Sequence, residues 1–307
     1  MNSLSDPLPT ESGFRRDLVR WRQLVAPTWL AALLAGQAVE AAPAGRWRLL
    51  EVGCGDAPLH AQGHIGQAAY LDSGELETLP LWNKVDDAAL LALLLRHGIE
   101  HDTTVLLYGR GALAQARAAH LMLYAGVRDV RLLDGGLAAW CAAGLALSRQ
   151  CAPLVPALRF GAPFPGRPGF MADMAQARQV LGHPDGALVS VRSWSEYSGA
   201  TSGYSYIAAR GDIPGARWGR AGRDGDVDSM DDYHDAAGRM RPAAEIRRMW
   251  HASGIHAGQD TLFYCGTGWR ASLAFFCAWL MGWPRIGVYD GGWYEWSCAG
   301  AQQAAAA

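Results

Sequence analysis

The chain has 307 residues, half of them hydrophobic and 18% charged, with a formal net charge of −2 at pH 7. That length suits two domains of about 150 residues each, and so apolar a composition excludes an intrinsically disordered chain. With near-neutral charge and no basic block, nucleic acid and anionic membrane surfaces have no electrostatic support as partners.

The opening "MNSLSDPLPTESGFRRD" lacks the basic end and apolar core of a signal peptide. Next, "LVAPTWLAALLAG" predicts a helix, too short to span a bilayer. The six cysteines, Cys54, Cys141, Cys151, Cys265, Cys277 and Cys298, show no CxxC pair and no zinc-like spacing. These features point to a cytoplasmic protein with reduced thiols.

The strand "RLLEV" leads into "LLEVGCGDA" (49–57), which alone looks like the first motif of an S-adenosylmethionine-dependent methyltransferase. Its context weakens that remote alternative: Ala57 replaces the third glycine, Pro58 follows, and "HAQGHIGQ" has glycines where a helix should run. Cys54 in this turn reads as structural.

From residue 98 onward the chain repeats itself. Residues 98–140 fall without a gap on residues 254–296, so that Gly98 meets Gly254 and Asp134-Gly135-Gly136 meets Asp290-Gly291-Gly292. Each copy predicts an apolar strand ("TVLLY", "TLFY"), a loop, an Ala/Leu-rich helix ending at a glycine, and a second strand ("VRLL", "IGVY"). A DGG turn and a tryptophan-containing helix follow. Alternating strands and helices indicate a parallel sheet covered on both faces. The fold class is therefore α/β, in two homologous domains. The first covers residues 21–150 and the second residues 169–301, with the Pro/Gly-rich segment 151–168 as linker.

The copies differ where it matters chemically. In "FYCGTGWRAS" (263–272) Cys265 opens the loop between strand and helix, and the first copy has Gly109 there, in "YGRG". Loops at the carboxyl ends of parallel strands are where ligands sit. Gly266 and Gly268 let the backbone curl with several N–H groups inward, the following helix adds its positive end, and Arg270 adds a fixed charge that can tie loop carbonyls together. Such a nest stabilises a thiolate, or any anion attached to it. Cys277 and Cys298 are bystanders on this reading, and Arg110 a surface or interdomain charge.

The loop, the "DGGWYEW" ending, the "GDIPGARWG" turn and the tandem arrangement resemble the rhodanese superfamily of sulfurtransferases, in the multidomain form that keeps the cysteine only in its last domain. The resemblance implies a five-stranded parallel sheet in each domain and a Cys265 that carries a sulfane sulfur as a persulfide. The implied partners are a small donor, thiosulfate first and 3-mercaptopyruvate second, and a thiol or cyanide acceptor. It implies no metal or organic cofactor. The active-site loop would be Gly266, Thr267, Gly268, Trp269 and Arg270 around catalytic Cys265. Four residues separate Cys265 from Arg270, one fewer than in the related phosphatases, which favours sulfur over an oxyanion.

"CGTG" is similar to the mercaptopyruvate enzymes, where the hydroxyl residue, Thr267 here, joins a relay with a histidine and an acid from the inactive domain. The matching positions are His64 and Glu51. Glu196 stands where two-domain enzymes place a substrate arginine, Ser190 where they place an aspartate, and Arg192 reads as an internally paired strand-end arginine. Arg210 is the nearest cation for a donor's carboxylate or sulfonate, and Tyr233 and His234 are assigned to the mouth of the pocket. "DGDVDSMDDYHD" (224–235) nearly fits a calcium loop, but Ser229 occupies the position that needs glycine, so it reads as a solvated loop. The competing function is a persulfide carrier or redox-signalling module that delivers sulfur to a partner protein.

Overall fold

The computed structural model describes residues 13–150 and 153–306; Cys151 lies outside them. The first half runs β1 (Leu24–Val25), α1 (Pro27–Leu34), β2 (Trp47–Gly53), α2 (Ala57–Gln62), β3 (Ala69–Asp72), β4 (Glu77–Thr78), β5 (Asn83–Lys84), α3 (Asp87–Arg96), β6 (Thr104–Tyr108), α4 (Ala112–Ala125), β7 (Asp129–Leu133) and α5 (Gly136–Ala142). The second runs β8 (Met171–Ala172), α6 (Met174–Gly182), β9 (Gly186–Ser190), α7 (Trp194–Tyr197), β10 (Arg217–Trp218), α8 (Ala243–Ala252), β11 (Asp260–Tyr264), α9 (Trp269–Leu280), β12 (Ile286–Tyr289) and α10 (Gly292–Ala306).

The two halves share one plan. Five parallel strands lie in the order β1-β7-β6-β2-β3 in the first and β8-β12-β11-β9-β10 in the second. The central strands "TVLLY" and "DTLFY" are buried almost throughout, as expected of strands covered on both faces. Two details differ from the sequence expectation. The predicted opening helix begins with an edge strand, because Leu24 and Val25 pair with Leu132 and Leu133 before Pro27 starts the helix at a position where its missing N–H costs nothing. The first half also carries an antiparallel ribbon, β4 with β5, outside its main sheet.

The halves meet through α4 and α9. From Leu113 to Ala125 and from Arg270 to Leu280 every residue is buried, because each helix covers its own sheet with one side and the other helix with the opposite side. Between them His120 Nδ1 lies 3.1 Å from Ser272 Oγ and its ring packs on Phe275. The DGG aspartates also cross between halves. Asp134 accepts the Met240 N–H at 2.8 Å, and Asp290 accepts the Lys84 N–H at 2.6 Å. Among the described residues no helix is long and apolar enough to cross a membrane.

Candidate active site

Cys265 directly follows β11 and is 1% exposed. Its own carbonyl accepts the Trp293 N–H at 2.8 Å, and the Gly266 carbonyl accepts the Tyr294 N–H at 3.2 Å, both at the start of α10. A trans peptide points its N–H opposite to its C=O, so gripping these carbonyls turns the N–H groups of Gly266 and Thr267 away from α10, into the loop. The DGG turn makes the grip close: at Gly292, with φ +55°, a Cβ would come within 2.5 Å of the Cys265 oxygen. Gly268, at φ +92°, then takes the left-handed conformation that starts α9.

Arg270 does not bind loop carbonyls. Its Nη1 and Nη2 each donate to a different oxygen of Glu196 at 2.8 Å, and Nη2 also donates to the Tyr204 hydroxyl at 2.5 Å. Burial would push the Glu196 carboxyl up, but the Arg270 hydrogen bonds and charge outweigh it and hold it below the usual carboxylate range. Trp269 donates its Nε1–H to Glu77 at 3.0 Å, across the halves. Glu77 is held in turn by Arg117 at 2.8 Å, and Arg117 reaches Asp290 at 2.7 Å. Burial raises the Glu77 carboxyl to about 7 against the pull of Arg117.

Above the loop lies a pocket of about 300 Å³ with Thr267, Trp269 and Arg270 as its floor. Cys54, Trp82 and Leu113 of the first half form one wall, and Tyr204, Tyr206 and Asp228 line the second half's side. Tyr206 lines the pocket with Thr267, and partial burial pushes its phenol up. The two halves complete one site.

Several expectations need correction. Glu51 is fully buried within the first half, where it accepts from Tyr108 Oη at 2.8 Å and Arg110 Nε at 2.8 Å and meets His60 Nδ1 at 3.1 Å. His64 stacks on His60, with ring centroids 4.3 Å apart, and burial holds it below the usual histidine value. Neither Glu51 nor His64 lines the pocket beside the Cys265 loop, where Tyr204 and Tyr206 stand with Thr267. The cluster sits at the first half's own loop, where the Leu137 N–H grips the Gly109 carbonyl at 2.9 Å as Trp293 grips Cys265. Arg110 is part of it rather than a surface charge. Arg210 is exposed, near the Ala200 carbonyl, and does not line the pocket.

Glu196 is an anchor for Arg270 beneath the floor rather than a group facing substrate. Tyr233 is buried on the Gly219 carbonyl, and His234 lines a neighbouring cavity with Asp231 and Asp235. Cys54 is exposed on the pocket wall, not a buried structural thiol. Arg192 is internally paired, with Asp212 at 3.2 Å and the Gly211 carbonyl at 2.6 Å, and Ser190 donates to the same Asp212.

Comparison with known proteins decides the family. The Rhodanese-like domain matches this chain twice, at residues 27–143 and 173–299. The chain belongs to the rhodanese family. This rhodanese is 52% identical over 295 residues to the thiosulfate sulfurtransferase YnjE of Escherichia coli, covering 96% of the chain and 67% of that relative. It is 34% identical over 253 residues to a probable 3-mercaptopyruvate sulfurtransferase of Pseudomonas aeruginosa, covering 78% and 83%. Among solved structures, an anaerobic ergothioneine biosynthesis enzyme from Chlorobium limicola, in complex with trimethyl histidine, superposes with a TM-score of 0.88 at 39% identity. That match covers 92% of this chain and 69% of the other. The rhodanese is a sulfurtransferase.

Proposed function

We propose that Cys265 is the nucleophile, taking a sulfane sulfur from thiosulfate, or second from 3-mercaptopyruvate, and passing it to cyanide or a thiol. The supporting observation is the grip of α10 on the Cys265 and Gly266 carbonyls, which turns the Thr267 N–H into the loop of a buried thiol while the Gly266 N–H donates to Tyr204. Thiolate attack on the donor's outer sulfur breaks its bond to sulfite, which leaves with the electron pair, and the negative charge passes to a persulfide held at this loop. The first half (21–150) supplies one pocket wall, the linker spans 151–168, and the second half (169–301) carries the thiol. The protein acts in the cytoplasm.

Thiocyanate formation from cyanide, with each donor, on wild type and Cys265→Ser, tests this. Turnover should vanish in the variant, with the fold intact by circular dichroism. Turnover that survives contradicts the assignment. A wild type that loads sulfur on Cys265 but turns over with neither acceptor favours the persulfide-carrier function.

One observation favours a second reading of the acceptor. Among the described lining residues the only cation, Arg270, is committed to Glu196, while Trp82, Tyr204, Tyr206 and Trp269 present aromatic surface and Asp228 a carboxylate. Aromatic walls beside a carboxylate suit a quaternary ammonium group, of the kind trimethyl histidine carries on its amino nitrogen. Isothermal titration with trimethyl histidine distinguishes the readings: saturable binding that Trp82→Ala weakens supports it, and no binding removes it.

A further inference from the structure

Tyr204 has hydrogen-bonding capacity that the loop alone does not explain. Its ring lies directly over Gly266, where a Cβ would come within 2.3 Å of the Tyr204 Cζ. Its oxygen accepts two hydrogen bonds, from the Gly266 N–H at 3.2 Å and from Arg270 Nη2 at 2.5 Å. A phenol has one proton and two lone pairs, and backbone N–H and guanidinium groups only donate. Both lone pairs are therefore occupied, and the O–H has no acceptor among the described residues. Burial pushes the phenol well above its usual value, and a negative charge on Cys265, the residue next to Gly266, pushes it further, so the proton stays on.

We propose that Tyr204 donates this hydrogen bond to the sulfur carried by Cys265. The assignment rests on Cys265 being the nucleophile. Arg270, held from behind by Glu196, and the Gly266 amide polarise the phenol from two sides, which makes its O–H a stronger donor than an unassisted one. The phenol thereby carries their positive character to the sulfur. When the Cys265 thiolate attacks thiosulfate, the outer sulfur bonds to Sγ, sulfite departs with the electron pair, and the new terminal sulfur bears the charge that the Tyr204 O–H meets. When cyanide carbon then attacks that sulfur, the S–S electron pair returns to Sγ. Tyr204 keeps its proton through both steps. Tyr204 is then a catalytic residue, and Glu196 and Arg270 position it.

Tyr204→Phe keeps the ring and removes only the hydroxyl. The expected result is a kcat for thiosulfate and cyanide lower by about 100-fold, the scale of losing one oxyanion-hole donor, with KM nearly unchanged and an unchanged melting temperature. The isolated persulfide, measured by cyanolysis after gel filtration, should also lose sulfur faster. Gly266→Ala provides a second route, because its Cβ displaces the ring while leaving Tyr204 in the chain, and the same loss of kcat is expected. Wild-type or higher kcat in either folded variant overturns the proposal. Cys265→Ser runs in parallel: an active Cys265→Ser sinks the nucleophile assignment, whereas an inactive one beside a fully active Tyr204→Phe sinks the role of Tyr204 alone.

Discussion

Arg270 gives Nη1 and Nη2 to the two oxygens of Glu196, which lies behind the pocket lining, and shares Nη2 with Tyr204. A lysine carries the same charge but cannot make this fork. Arg270→Lys should therefore lower kcat at least tenfold, measured as thiocyanate formation, although net charge is unchanged. Glu196→Ala leaves a buried guanidinium without its carboxylate, and urea denaturation should show a loss of about 3–5 kcal/mol. The sequence made Cys265 and its glycines legible, because a thiol between a strand and a helix with flanking glycines is a local pattern. Glu196 was not legible as an anchor: its partner lies 74 residues away, and no local spacing marks such a pair. Tyr204 and Tyr206 were missed for the same reason, since "SGYSYIAAR" is an irregular loop whose side-chain directions only the fold decides.

At the scale of elements, the strand–loop–helix units were readable from their apolar runs and terminal glycines, and the DGG turn from its repetition. Its purpose emerges only in three dimensions, where Gly292 and Gly136 let a helix N-terminus approach the preceding loop's carbonyls. The start of α9 is tied down by a different device, the chain Trp269–Glu77–Arg117–Asp290, which runs between the halves. Arg117 was the available clue, an arginine within the mostly apolar "ALAQARAAHLMLYA". Trp269→Phe removes one hydrogen bond to a buried carboxylate and should cost about 2 kcal/mol in chemical denaturation. A variant as stable as wild type would show that this link does not hold the loop.

For the whole molecule, the tandem design was legible because the two halves align without a gap, whereas their docking was not. The α4–α9 contact buries His120 completely, and burial first, then Arg117, lowers its pKa from the usual 6.5 to about 4. The unfolded chain takes up this proton as pH falls through 6.5, and the folded protein only near 4. The stabilisation is thus full above 6.5 and lost on the way down to 4, on the order of 3 kcal/mol. Glu77 and Asp134, raised by burial to about 7 and about 6, act in the opposite direction. His120→Gln should therefore lose less stability than wild type between about pH 7.5 and pH 5 in denaturant titrations. An equal loss in both would remove His120 from the account.

The central claim is that sulfur resides on Cys265 within a site that both halves complete. Peptide mass mapping after thiosulfate loading tests it most directly, with free thiols and persulfides trapped by an alkylating agent. The account predicts one added sulfur on the peptide bearing Cys265, and none on those bearing Cys54, Cys141, Cys151, Cys277 or Cys298. Sulfur found first on another cysteine, or turnover with no sulfur on Cys265, would contradict it.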